Sequence, residues 1–119
     1  MKENIKTIIE WHEQTFPDAT LDGQKAKFEE EMAEYNESVC MEELADMFIV
    51  ACGIARFDSV AAIEYFVAVF QGLLSWKTVG AYMLFKITID EKMAKNRKRK
   101  WNKTNNGSYH HIADVSKKD

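Results

Sequence analysis

Apolar positions recur at helical intervals along most of the chain. In NIKTIIEWHEQT (4–15), Ile5, Ile8, Ile9 and His12 fall three and four apart and predict a first helix. It ends at Phe16, because a residue before proline, here Pro17, avoids the helical region. Thr20 supplies an N-cap for a second helix over roughly 21–36, with Leu21, Phe28, Met32 and Tyr35 on its apolar stripe. After the turn residues Asn36, Glu37 and Ser38, a third helix over roughly 40–57 is apolar nearly all round from Leu44 to Ala55, the pattern of a helix buried on several sides. Asp58 or Ser59 can cap a fourth, VAAIEYFVAVFQGLL. Gly72 to Ser75 is the next break, and a last helix runs from about Lys77 to Arg97 or beyond. Residues 102–119 open with turn residues and predict a partly ordered tail, in which Tyr109 to Val115 can dock. No segment alternates with period two. The expected class is all-α, a bundle of four to five helices in one domain over 1–119.

Composition narrows this picture little. The chain has 46% hydrophobic and 29% charged residues, one Pro and five Gly, which favours long helices with short connections. Cys40 and Cys52 form no CxxC pair, so reduced thiols in a cytoplasmic setting are expected. The N-terminus is too polar for a secretory signal, and AAIEYFVAVFQGLL is too short and too interrupted, by Glu64, to span a bilayer. No membrane partner is expected.

Charge changes the picture more. The net charge of −3 hides an acidic first half and a basic second half, with bases crowded into KMAKNRKRKWNK. The acids have a spacing. Glu31 and Glu34 are three apart on the second helix, and Glu43 and Asp46 are three apart on the third, so each pair shares a helix face. Asp46 is the only charge between Leu44 and Ala55, and Gly53 lies two turns along its face. If the two helices pack antiparallel through the short turn, the pairs meet. A buried carboxylate costs several kcal/mol unless compensated, and clustered carboxylates take up protons. A hard divalent cation removes that penalty, which points to Mg²⁺, with Mn²⁺ as a substitute. A di-iron carboxylate site is set aside, because none of the three histidines stands three after a Glu.

These residues resemble a known family. Glu30-Glu31-x-x-Glu34 followed by Glu43-x-x-Asp46 is similar to the EExxE…ExxD motif of the MazG-like all-α nucleotide pyrophosphohydrolases, and the similarity covers most of the chain. Trp11, the TFPDAT segment, Lys27, Lys92-x-x-x-Asn96 and GSYHHI look like its single-domain members. The spacer from Tyr35 to Glu42 is shorter, and the segment before Lys92 longer, than in compact members. The resemblance implies Mg²⁺-dependent hydrolysis of an NTP or dNTP to the monophosphate and pyrophosphate. It implies that Glu31, Glu34, Glu43 and Asp46 hold the metal, that Lys92 and Asn96 reach the phosphates, and that the chain works as a homodimer or homotetramer. Chemically, Glu34, with Glu31 next, is the expected proton acceptor for the attacking water.

Other residues stay open between two roles. Trp11 and Phe16 either stack on a base or, for Trp11, join Ile8 in the core. Arg99, Trp101, Tyr109 and His110 match the family's tail pattern. The apolar excess from Ile63 to Phe85 exceeds what one small core can hold and predicts a homo-oligomer. The competing function is a helical nucleic-acid-binding module using 92–103, a basic run with Trp101 inside it. An acidic first half argues against such binding, and a simple interaction protein with solvated acids is the blandest alternative.

Overall fold

The computed structural model describes residues 2–103 and 109–112. Among them are five α-helices: α1 (Ile5–Thr15), α2 (Leu21–Glu37), α3 (Met41–Phe57), α4 (Ala62–Leu74) and α5 (Val79–Lys98). A short antiparallel ribbon follows, β1 (Trp101–Lys103) with β2 (Tyr109–His111). The all-α class holds, and the Cα radius of gyration, 13.9 Å, is that of a compact domain of this length. No described helix is long and apolar enough to cross a membrane.

Local chemistry sets the helix ends. Asn4 caps α1 by accepting from Thr7 N, and Thr7 Oγ1 accepts in return from Asn4 N, a reciprocal capping box. Thr20 accepts from Gly23 N at 3.0 Å to start α2, as expected. At the start of α3, Cys40 makes no side-chain cap, but Glu42 and Glu43 place negative charge on the positive end of the helix dipole. Asp58 caps differently from expectation. It accepts from the backbone of Val60 and Ala61, which stabilises a turn, and α4 begins only at Ala62. Thr78 caps α5 after Lys77, whose φ of 54° turns the chain between the last two helices.

α3 is the centre of the molecule and packs against each of the other four helices. Leu44, Ala51, Cys52 and Ile54 on it are fully buried, in contact with a core that includes Ile8, Phe28, Val69 and Ile89. This is why its sequence is apolar on nearly every side. The N-terminus is tied to α5, where Asp90 accepts from the backbone of Lys2 and Glu3, and Arg97 grips the Glu3 carboxylate through two hydrogen bonds.

One expectation needs correction. The chain after α5 is not simply loop, because Trp101 pairs with His111 and Lys103 with Tyr109 in the ribbon. Strands of three residues are too short to show a period-two pattern, although Asn106-Gly107 between them is a strong hairpin signal. The side chain of His110 and residues 104–108 and 113–119 lie outside the described residues, so the rest of the expected tail does too. The apolar excess from Ile63 to Phe85 does exceed the core, as expected: of its aromatics Phe85 is buried, Tyr65, Phe66 and Trp76 are half-buried, and Phe70 and Tyr82 are exposed.

Candidate functional site

The turn at 38–40 folds α2 back along α3, so that the two helices meet in a fixed antiparallel register. Gln24 faces Gly53, Glu31 faces Asp46, and Glu34 faces Glu43. The expected convergence of acids occurs for three of the four. Glu31, Glu43 and Asp46 each turn an oxygen inward, and these oxygens lie within 4.8 Å of one another. Glu34 lines the same cavity from a more exposed position, where its side chain interacts with both Glu31 and Glu43.

The cluster is electrostatically loaded. Burial, then the Asp46 charge, pushes the Glu31 carboxyl up to about 8, against the pull of Lys27. Burial raises Glu43 as well, with Asp46 and Glu34 adding repulsion. Asp46 is also raised, because burial outweighs the attraction of Lys92. Glu31 Oε2 and Glu43 Oε2 are buried without a hydrogen-bond partner. A buried unpartnered carboxylate oxygen costs free energy that neither neighbouring lysine recovers. An all-oxygen donor set with orphaned oxygens fits a hard divalent cation such as Mg²⁺ or Mn²⁺.

Cations ring the acids. Lys92 Nζ is 3.2 Å from Asp46 Oδ2, and Lys27 Nζ is 3.5 Å from Glu31 Oε1. Asn96, one turn beyond Lys92, is buried beside them; its Oδ1 accepts from Arg99 and its Nδ2 points at the Met93 sulfur. Lys92 and Asn96, expected at the phosphates, and Lys27, expected at the substrate, therefore line one cavity of about 320 Å³, within the range of small-molecule sites.

The other end of that cavity is aromatic. Trp11 and Phe16 meet edge to face with ring centroids 5.2 Å apart, and Phe16 lies 4.5 Å from Tyr109 and 5.0 Å from Trp101. Trp11 joins the core, as one of its two expected roles has it, and also lines the cavity. The ribbon is what brings Trp101 and Tyr109 here, and His111 joins them at the wall.

Sequence reasoning missed a polar network between the two ends. His12, taken as an apolar-face residue of the first helix, is buried between Arg56 and Gln24. Arg56 Nη1 also donates to the carbonyls of His12 and Phe16, at 3.3 and 2.8 Å. Burial, only partly offset by Gln24, lowers the His12 pKa to about 4, so its imidazole is neutral near pH 7. Gly53 accommodates this network, since a Cβ there would stand 2.7 Å from both Gln24 Oε1 and His12 Nε2. The room left by the missing side chain of Gly53 is filled by Gln24 and His12. Gln24 falls on the α2 face of Lys27 and Glu31, a spacing that could have singled it out.

No protein-family model, curated protein or solved structure matches this chain.

Proposed function

We propose that the chain is a Mg²⁺-dependent nucleotide pyrophosphohydrolase that converts a nucleoside triphosphate to the monophosphate and pyrophosphate, as its resemblance to the MazG-like family implies. The observation that carries the reading is the juxtaposition in one cavity. Three carboxylates, with buried unpartnered oxygens on Glu31 and Glu43, lie at one end, and an aromatic wall lies at the other. A nucleotide has the same polarity, a charged triphosphate joined through a sugar to a flat base.

Glu31, Glu43 and Asp46 would hold the ion, with Glu34 beside them. A bound Mg²⁺ supplies charge neutralisation and Lewis-acid assistance. Lys27, Lys92 and Asn96 neutralise and orient the phosphate oxygens, which fixes the α-phosphorus for in-line attack. Water forms the new bond to that phosphorus, the bond to the bridging oxygen breaks, and pyrophosphate leaves with the electron pair. Glu34, the most exposed of the four acids, would accept the water's proton. Trp11 and Phe16, with Trp101 and Tyr109, offer ring surface to the base.

The nucleic-acid reading is weaker, because Arg97 is engaged by Glu3 and Arg99 lines the cavity. A pyrophosphate-release assay across the NTPs and dNTPs, with and without Mg²⁺, tests the proposal. Mg²⁺-dependent release supports it; Mg²⁺-independent binding to DNA or RNA without turnover supports the alternative.

Lys92 makes a separable prediction. Lys92→Ala removes a charged phosphate partner and should raise KM for the triphosphate about tenfold. It should also tighten Mg²⁺ binding, because a competing cation leaves Asp46. Steady-state kinetics with a Mg²⁺ titration checks both, and unchanged KM would remove Lys92 from the phosphate site.

The homo-oligomer belongs to the same proposal. Ile63, Val67, Phe70 and Leu74 form one exposed stripe along α4, and Val79, Tyr82 and Met83 extend it onto α5. Patches of that size mark interfaces. Light scattering should find a dimer or tetramer that Phe70→Glu dissociates; a wild-type monomer would count against it.

A further inference from the structure

Gln24 is 4% exposed, yet its side chain lines the cavity. Its orientation is set from two residues away. A guanidinium only donates, and Arg56 Nη1 lies 3.0 Å from His12 Nδ1, so Nδ1 is the accepting nitrogen. A neutral imidazole then carries its proton on Nε2, which lies 3.0 Å from Gln24 Oε1. The Gln24 oxygen is therefore the end turned toward His12, which leaves the amide nitrogen as the end turned away from that ring and the one available to a ligand. Gly53 holds the arrangement from behind, since any side chain there would collide with both partners. At this point the Gln24 amide group offers the cavity its N–H donors.

Position decides what meets those donors. Gln24 precedes Glu31 by seven residues on one face of α2, about 10 Å along the helix axis. It sits beside the aromatic wall, where His12 and Phe16 have ring centroids 4.9 Å apart. With phosphates at the carboxylate end, the far edge of the base arrives at Gln24. A carbonyl there receives the amide hydrogens. An exocyclic amino group opposes donor to donor and leaves both unpaired, a mismatch that such sites reject strongly.

We infer that Gln24 is a specificity-determining residue that selects nucleotides bearing an oxo group on the base over those bearing an amino group at the same position, with His12 and Arg56 as its positioning residues. The inference rests on the nucleotide reading of the cavity and adds the base class to it.

Substrate pairs that make this exchange, together with the loss of the adjacent ring N–H that accompanies it, test it: UTP against CTP, and ITP against ATP. With Mg²⁺ present, kcat/KM of the wild type should favour the oxo member by at least about tenfold in each pair that is turned over. Gln24→Glu keeps one oxygen on His12 and turns the other, an acceptor, to the cavity, so the ratio should reverse toward the amino member. Arg56→Met removes the donor that fixes the His12 tautomer, from outside the cavity lining, and the ratio should fall toward one. A merely structural role for Arg56 would lower both members alike and leave the ratio unchanged. If Gln24→Glu does not fold, the wild-type ratios and Arg56→Met carry the test. Turnover with a wild-type ratio near one, or in favour of the amino member, overturns the base assignment and leaves the pyrophosphohydrolase reading standing. No pyrophosphate from any of the four overturns both.

Discussion

Replacing Asp46 by alanine is expected to lower Mg²⁺-dependent turnover by roughly a thousandfold or more, with the five helices intact. Asp46 is the carboxylate that α3 delivers deepest into the shared cluster. It faces Glu31 and accepts from Lys92 at 3.2 Å. Its removal takes away one of three converging oxygens and frees Lys92 to pair elsewhere. The fold has little reason to fail, because α3 is anchored by Leu44, Ala45, Phe48 and Ile49, all buried, and not by the carboxylate. In the metal-free protein the change also relieves repulsion on Glu31. Circular dichroism and a thermal melt separate loss of the site from loss of the fold. Full activity in a folded Asp46→Ala protein would take Asp46 out of the site.

The metal-free protein should lose stability as pH rises above about 6.5, and Mg²⁺ should cancel that loss. Glu31 is raised from 4.5 to about 8, so the native state binds the extra proton between those values. Its contribution is complete below 4.5 and is lost as pH rises through 8. His12 runs the other way. Its pKa falls from 6.5 to about 4, so its contribution is present above 6.5 and is lost as pH falls toward 4. Between 4.5 and 6.5 the two slopes oppose each other. From 6.5 to 8 only the carboxylate slope remains, on the order of 1.4 kcal/mol per pH unit. The raised Glu43 and Asp46 act in the same direction as Glu31. Mg²⁺ requires the ionised carboxylates, so it should bind more tightly as pH rises. At one hundred times its dissociation constant it adds roughly 2.7 kcal/mol, about 10 °C in Tm. Glu31→Gln should flatten the metal-free pH profile and abolish the Mg²⁺ response. A wild-type melting temperature that rises from pH 6.5 to 8 without metal would contradict this account.

The helices and the acidic pairs were legible in the sequence because both depend on local spacing. A 3.6-residue period places Phe28 inward, and the three-residue spacing of Glu43 and Asp46 puts them on one face whatever the rest of the chain does. The antiparallel meeting of the pairs followed from a turn too short to allow another course. What was not legible depends on long-range contact. His12 and Arg56 are 44 residues apart in sequence, and nothing local marks them as partners. His12 satisfied the helical period and was absorbed into the apolar face. The ribbon was missed because its strands are three residues long, yet it delivers Trp101 and Tyr109 to the cavity. Glu34 illustrates a limit of face arithmetic. It shares a helix face with Glu31 and still touches Glu31 and Glu43, but one further turn along α2 leaves it more exposed than the other three acids.

The most direct measurement is anomalous diffraction from crystals of the protein grown with Mn²⁺. A peak within bonding distance of Glu31, Glu43 and Asp46, with Lys92 drawn off Asp46, is the predicted result. Ordered carboxylates at these positions with no peak between them, at a Mn²⁺ concentration that supports turnover, would contradict the account.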